Sequence, residues 1–83
     1  MSKEVIVYST PTCPYCHKTK EWLKEHNVSF KDVNVAEDQE AAKKMIEESG
    51  QTGVPVWKVV ENGETKRIVT GYDVNALEEE FGS

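Results

Sequence analysis

The fold is decided by residues 4–17, which read EVIVYSTPTCPYCH. The first five form a largely apolar run rich in β-branched side chains, and such a run predicts a strand that is buried on both faces of a sheet. Ser9 to Thr12 break the run, and a helix is predicted to begin at Pro14, whose fixed φ suits the first helical position. Both cysteines of the chain therefore lie where a buried strand passes into a helix.

Outward from this junction, the apolar spacing predicts a helix, a second strand and a second helix. One face of the first helix carries side chains three and four residues apart, and this helix is expected to end at His26-Asn27. Those side chains are Tyr15, Thr19, Trp22, Leu23 and His26. Residues 29–35 are predicted to form the second strand, and the second helix is expected to be capped by Asp38 and stopped by Gly50. Two strands joined through a helix are expected to be parallel.

The remaining residues predict an antiparallel hairpin and a last helix. Residues 55–60 and 65–69 are strand-like, and the Asn62-Gly63 between them is the strongest short signal for a hairpin turn. Asp73 is expected to cap the final helix. The apolar side chains of that helix are Val74, Leu77 and Phe81. The order βαβαββα predicts an α/β fold with a mixed four-stranded sheet flanked by helices.

Size and composition limit the class of protein. The chain has 83 residues, so residues 1–83 are expected to form a single domain. Charged residues make up 30% and hydrophobic ones 37%, and the net charge of −5 makes a nucleic-acid or membrane partner unexpected. We expect a monomer with protein or small-molecule partners. We place it in the cytoplasm, because no apolar run approaches the roughly 20 residues of a membrane span and no secretory signal precedes the first strand.

The cysteine pair, Cys13 and Cys16, carries the chemistry. In a reducing cytoplasm such a pair is catalytic or metal-binding more often than a structural disulfide. A thiol reacts as its thiolate, and a helix start stabilises an anion through its dipole and unpaired N–H groups, so Cys13 is expected to ionise more readily than an isolated thiol. Cys16 lies one turn further along, where it is more enclosed and keeps its proton longer. We predict that Cys13 attacks a substrate disulfide and that Cys16 resolves the mixed disulfide.

Three other interpretations of the pair receive less support from the residues. A zinc site would need two further ligands, and only His17 and the distant His26 are candidates. Cys13 to His17 also match the Cys-x-x-Cys-His pattern of covalent haem attachment, which would require export and an axial ligand such as Met45. A structural disulfide at this spacing would stabilise the fold little, because it constrains almost no chain entropy.

Residues 5–8 and 13–20, VIVY and CPYCHKTK, resemble the first strand and the active-site helix of dithiol glutaredoxins of the Cys-Pro-Tyr-Cys type. Residues 53–56, GVPV, resemble the loop in which that family places a cis-proline facing the active site. The resemblance covers nearly the whole chain and implies a thioredoxin-like fold and a thiol-disulfide oxidoreductase. The implied role in electron transport and cell redox homeostasis is the reduction of protein disulfides and of protein-glutathione mixed disulfides. Glutathione would be the reducing cosubstrate, with no permanently bound cofactor or metal.

The resemblance also assigns a groove for glutathione. Its residues would be Tyr15, Val54, Pro55, Gly71, Tyr72 and Asp73. Tyr15 would flank the groove, and the backbone of Val54 would pair with the cysteine moiety. The turn that ends at Asp73 would hold the γ-glutamyl end at a helix start, although a plain helix cap explains Asp73 equally well. The residues that could tune the thiolate are Thr12, Pro14 and His17. Lys18 and Lys20 could also do so, but a solubilising role at the start of a solvent-facing helix is favoured for His17, Lys18 and Lys20.

The chain departs from the family pattern at three places. Thr10 stands where glutaredoxins commonly carry a lysine for the glycyl carboxylate, Gly53 replaces the threonine of Thr-Val-Pro, and Thr70-Gly71 replaces a Gly-Gly pair. With these three changes the chain resembles glutaredoxin-like redoxins, some of which take electrons from a thioredoxin reductase. A third alternative, from another class, is a protein that binds an iron-sulfur cluster between two subunits. Pro14 and the second cysteine are unusual in such proteins.

Overall fold

Four strands and three helices alternate in the order βαβαββα within residues 3–82, the part of the chain that the computed structural model describes. The elements are β1 (Lys3–Ser9), α1 (Pro14–Glu25), β2 (Lys31–Asn34), α2 (Gln39–Ser49), β3 (Val56–Glu61), β4 (Glu64–Thr70) and α3 (Val74–Phe81). The predicted order and the predicted α/β class are confirmed. The helices of residues 3–82 all fall short of the length and apolar character that a bilayer-spanning helix needs.

The four strands form one mixed sheet in the order β2-β1-β3-β4. β1 is parallel to β2, as two strands joined through a helix were expected to be, with Val7 opposite Asp32. β3 is antiparallel to both β1 and β4. The β3–β4 hairpin turns at Asn62 and Gly63, which have φ values of 53° and 81°, so the predicted Asn-Gly turn is confirmed.

The sheet separates two apolar layers. On one face, α1 and α3 contribute Leu23 and Leu77 to a core that includes the fully buried Trp57. On the other face, Met45 of α2 packs against Tyr8 and Val56. Adjacent strand residues alternate between these layers because successive side chains point to opposite faces of a sheet. The end of β1 is therefore buried between helices, and it delivers the chain to the start of α1.

Two details differ from the sequence prediction. β2 covers only residues 31–34, although the N–H of Val35 still donates to the carbonyl of Ser9 at 3.0 Å. The buried face of α1 is formed by Cys16, Thr19 and Leu23, whereas Tyr15 is 57% exposed. Of the predicted face, Thr19 and Leu23 are buried and Trp22 packs on the core. The inclusion of Tyr15 and His26 is wrong, because these residues at the two ends of the helix are exposed. Tyr15 is thereby directed to the surface beside the cysteine pair.

Candidate active site

Cys13 occupies the residue just before α1. Its backbone is extended, with φ −92° and ψ 113°, and its sulfur accepts a hydrogen bond from the N–H of Cys16 at 3.3 Å. Pro14 begins the helix and has no N–H of its own to satisfy. The predicted position at a strand-to-helix junction is confirmed. An atom at this place faces the unpaired N–H groups at the helix start and the positive end of the helix dipole. Both of these stabilise a negative charge.

Cys16 lies one turn inside α1 and has no exposed surface. Burial raises the pKa of its thiol to about 12, and a side-chain hydrogen bond with Cys13 acts in the same direction. Both cysteines are free thiols, and Cys13 is only half-buried. The prediction that Cys16 is the more enclosed thiol is confirmed, and the raised pKa is consistent with the prediction that it holds its proton longer. The two thiols therefore have different environments although three residues separate them.

A second segment of chain reaches Cys13 from the loop before β3. The Val54–Pro55 peptide bond is cis, as the resemblance implied. The Cys13 thiol donates to the carbonyl oxygen of Val54 at 3.7 Å. Pro55 is buried, whereas Val54 is half-buried. The backbone of Val54 thus lies beside the sulfur of Cys13, and its pairing with a substrate stays a prediction.

A third segment, the turn before α3, completes the site. The N–H of Gly71 donates to the carbonyl oxygen of Pro55 at 2.7 Å, and Gly71 has a φ of 81°, which favours glycine. The ring of Tyr72 stacks on the ring of Tyr15, with centroids 6.4 Å apart and planes inclined by 23°. Segments that are far apart in the sequence therefore meet around Cys13.

Asp73 caps α3 as the sequence predicted. Its carboxylate accepts a hydrogen bond from the N–H of Ala76 at 3.2 Å. The side chain is exposed at the edge of the site, and one of its carboxylate oxygens caps the helix. The capping role is shown, and a role toward a ligand stays a prediction.

That Thr12, Pro14 and His17 tune the thiolate stays a prediction. Thr12 is exposed in the turn before Cys13. The imidazole Nε2 of His17 lies 2.9 Å from the carbonyl oxygen of Pro11, so this ring is engaged with the loop. Lys18 places its ammonium 5.5 Å from the centre of the Tyr15 ring. The sequence analysis did not single out that cation–π contact, whose spacing of three residues on one helix could have indicated it.

Two polar clusters were also absent from the sequence predictions. Lys20 pairs with Asp32 at 3.0 Å, on the side of α1 that carries Cys16. On the opposite face of the sheet, the buried Lys58 lies 2.7 Å from a carboxylate oxygen of Glu48. Burial alone would lower the pKa of Lys58, but its hydrogen bonds to Glu48 and Tyr8 outweigh burial and raise the pKa. This second pair ties the last turn of α2 to β3.

The chain is similar to known proteins over most of its length. Residues 5–64 match the family model described as Glutaredoxin. A protein of Clostridium pasteurianum, named an uncharacterized glutaredoxin-like 8.6 kDa protein in the rubredoxin operon, is 48% identical over 69 residues, which are 83% of this chain and 85% of that protein. A glutaredoxin-like protein NrdH of Lactococcus lactis is 42% identical over 43 residues, which are 52% of this chain and 60% of that protein.

A protein of known structure has a similar fold. The crystal structure of a glutaredoxin from Archaeoglobus fulgidus superimposes with a TM-score of 0.75 and 33% sequence identity. The superposition covers 92% of this chain and 83% of that one. The thioredoxin-like arrangement that the resemblance implied is thereby confirmed.

Proposed function

This chain belongs to the glutaredoxin family of thiol-disulfide oxidoreductases, and we propose that it reduces protein disulfides and protein-glutathione mixed disulfides with glutathione as cosubstrate. The observation that carries the proposal is the contrast within the cysteine pair. Cys13 presents a half-buried sulfur at a helix start, and Cys16 is buried one turn behind it. Such an arrangement separates an attacking thiol from a resolving one.

The proposed reaction proceeds by two exchanges. The Cys13 thiolate attacks one sulfur of a substrate disulfide, so a new bond joins Cys13 to that sulfur and the other sulfur leaves as a thiolate that takes up a proton. Where the sulfur bound to Cys13 belongs to glutathione, a second glutathione thiolate attacks it, Cys13 leaves as a thiolate, and glutathione disulfide is released. Alternatively, Cys16 loses its proton and attacks the sulfur of Cys13, which releases the second thiol and leaves an internal disulfide. Two glutathione molecules reduce that disulfide and become glutathione disulfide.

The surroundings of Cys13 support glutathione as the cosubstrate. The Val54 carbonyl lies 3.7 Å from the Cys13 sulfur, so a cysteinyl residue attached to that sulfur would lie against the Val54 backbone. The start of α3 offers N–H groups and positive potential to the γ-glutamyl carboxylate. Tyr15, which is exposed and stacked on Tyr72, would form the wall of the groove.

A coupled assay tests the proposal. A glutathionylated peptide is supplied with glutathione, glutathione reductase and NADPH, and the oxidation of NADPH is followed. The protein should accelerate peptide release, and Cys13→Ser should reduce the rate to that of the reaction without protein. A rate with the parent protein that does not exceed this background would refute the proposed activity.

A second candidate differs only in the electron donor. Thr10 replaces the lysine that would pair with the glycyl carboxylate of glutathione. One of the similar proteins is a glutaredoxin-like protein NrdH. These observations favour a redoxin that is recycled by thioredoxin reductase. Recycling by NADPH and thioredoxin reductase without glutathione, together with failure of the glutathione assay, would select this candidate.

We further propose that the protein acts as a cytoplasmic monomer. A dithiol of this kind requires a compartment that keeps it reduced, and the glutathione and thioredoxin systems do so in the cytoplasm. Sedimentation of the reduced protein should give the mass of one chain. Labelling of thiols in intact cells should find Cys13 and Cys16 reduced, and a stable internal disulfide in growing cells would contradict the proposed location.

A further inference from the structure

Lys20 lies one turn beyond Cys16 on the same face of α1, because residues four apart are neighbours on a helix surface. The Cys16 side chain has no exposed surface, and the Lys20 side chain is only 17% exposed. The aliphatic stem of Lys20 is therefore largely covered on the helix face that carries a fully buried thiol, and its ammonium ends at Asp32. Lysine side chains are seldom buried unless their charge is paired, so this position calls for an explanation.

Asp32 of β2 holds the ammonium in this position. One of its carboxylate oxygens lies 3.0 Å from Lys20 Nζ, and the other accepts a hydrogen bond from the buried hydroxyl of Ser9 at 2.6 Å. Burial favours a higher pKa for Asp32, but the hydrogen bonds from Ser9 and Lys20 outweigh burial and hold the pKa below its usual value. The carboxylate therefore stays ionised near neutral pH, and it fixes Lys20 from the sheet side.

We propose that Lys20 is a positioning residue of the resolving step: its ammonium stabilises the thiolate that Cys16 forms as it attacks the mixed disulfide on Cys13, and Asp32 with Ser9 fixes the ammonium there. The inference rests on the proposed dithiol exchange. It identifies the residue whose charge allows the buried Cys16 thiol to react as a thiolate. The resolving thiol is buried, and a buried thiolate needs a nearby cation to form at neutral pH.

The chemistry of the step is balanced without a proton transfer through Lys20. Cys16 releases its proton to water, and the thiolate forms a bond to the sulfur of Cys13. The bond between Cys13 and the substrate sulfur breaks, and the departing thiolate takes up a proton. Lys20 neither gives nor takes a proton in this step and acts only by its charge.

The surroundings of Cys16 assign this electrostatic role to Lys20. Burial is the main reason that the pKa of Cys16 is high; a backbone hydrogen bond with Thr10 and, more weakly, the positive charge of Lys20 act in the opposite direction. The other titratable groups near this thiol are Cys13, which precedes the helix, and, behind Lys20, Asp32 of β2. His17 also acts to lower the pKa of Asp32. Lys20 should therefore affect the second exchange and leave the first, which depends on the helix start, nearly unchanged.

The test separates the two exchanges. Bis(hydroxyethyl) disulfide, a neutral disulfide that needs no glutathione groove, is mixed with the reduced protein, and samples are quenched with acid. Mass spectrometry then follows the formation of the Cys13 adduct and its conversion to the internal disulfide. In Lys20→Gln the conversion should slow by about threefold to tenfold at neutral pH, as expected for loss of one nearby charge, and its pH profile should move to higher pH.

Matched variants exclude a merely structural effect. Lys24→Gln removes the same charge from an exposed position of α1 and should leave both rates unchanged. Lys20→Arg should restore the conversion rate to within about twofold, since the charge is kept. In a Cys16→Ser background, Lys20→Gln should leave adduct formation unaltered. If Lys20→Gln fails to fold, Lys20→Met keeps the packing of the aliphatic stem and must show the same slowing.

Each outcome has a distinct meaning. Conversion in a folded Lys20→Gln or Lys20→Met protein at the parent's rate and with the parent's pH profile would overturn the role of Lys20. Equal slowing by Lys24→Gln would also overturn it, because the effect would then come from the general charge of the helix. If the parent protein forms no Cys13 adduct at all, the proposed function itself is wrong.

Discussion

The starts of α1 and α2 have the same geometry and different chemistry. At α2, Asp38 has φ −109° and ψ 99°, and its carboxylate accepts from the N–H of Ala41 at 3.0 Å. At α1, Cys13 has φ −92° and ψ 113°, and its sulfur accepts from the N–H of Cys16 at 3.3 Å. In both helices a side chain that precedes the helix accepts from the backbone three residues later. An aspartate carboxylate fills one of these sites and a thiol fills the other.

The comparison shows how a structural site becomes a reactive one. A carboxylate at a helix start is an anion near neutral pH, and it uses the free N–H groups to stabilise the helix. A sulfur in the same place receives the same groups, and charged acceptors make stronger hydrogen bonds than neutral ones, so the groups favour the thiolate over the thiol. The kind of N–H group that Asp38 uses to stabilise α2 is thus presented at α1 to Cys13, which we propose to be the attacking thiol.

The largest effect is expected when Cys13 is exchanged for residues that cap but do not react. Cys13→Ser and Cys13→Asp should both reduce disulfide exchange to the uncatalysed rate, because neither side chain supplies a thiolate. Cys13→Asp should nevertheless keep the free energy of unfolding within about 1 kcal/mol of the parent, since aspartate is among the preferred caps. Turnover assays and urea unfolding measure the two properties. Residual turnover in Cys13→Ser would show that the nucleophile lies elsewhere.

The next effect separates the two cysteines. Cys16→Ser should abolish the internal disulfide while Cys13 still forms a mixed disulfide, because the attacking sulfur keeps its place at the helix start. Mass spectrometry after treatment with glutathione disulfide should show a protein that carries one glutathione and stays in that form. A Cys16→Ser protein that forms no adduct would contradict the assignment of attack to Cys13.

A smaller effect is expected at the other helix start. Asp38→Ala should lower the free energy of unfolding by about 0.5–2 kcal/mol, because the N–H of Ala41 loses its partner. The alkylation rate of Cys13 should not change, since the start of α1 is left intact. Asp38→Asn, which keeps an acceptor, should lose less stability. A large change in Cys13 reactivity would mean that the two starts are coupled rather than merely alike.

The smallest effect concerns the loop in front of α1. Thr10→Lys restores a cation near the site without altering either cap, and a partly exposed ion pair contributes about 0.2–1 kcal/mol. The KM for glutathione should therefore fall by about 1.4-fold to 5-fold, with kcat little changed. Thr10→Gln, similar in length and uncharged, is the control. An unchanged KM would indicate that the glycyl carboxylate does not lie at residue 10.

Local signals accounted for most of the fold. Pro14 and Asp38 marked the helix starts, Gly50 marked a stop, and Asn62-Gly63 marked the hairpin, because each acts on the backbone of its own neighbours. The same local physics placed the cysteine pair at the start of α1. These features were predictable because none of them depends on the order of strands in the sheet.

The remaining features depend on contacts between distant segments. The stacking of Tyr15 on Tyr72 and the hydrogen bond from Gly71 to the Pro55 carbonyl require the final sheet order and the position of α3. The pairing of Lys20 with Asp32 likewise requires β2 to lie beside β1. The four-residue spacing of Cys16 and Lys20 was visible in the sequence, but its significance depends on burial that only the assembled fold shows.

Differential alkylation tests the central claim most directly. The reduced, folded protein is treated with a limiting amount of iodoacetamide at neutral pH, and each cysteine is quantified by peptide mass mapping before and after unfolding. The sulfur at the start of α1 should be labelled first, and Cys16 should remain unlabelled until the protein unfolds. Labelling of Cys16 at an equal or faster rate in the folded state would contradict the proposed division between attacking and resolving thiols.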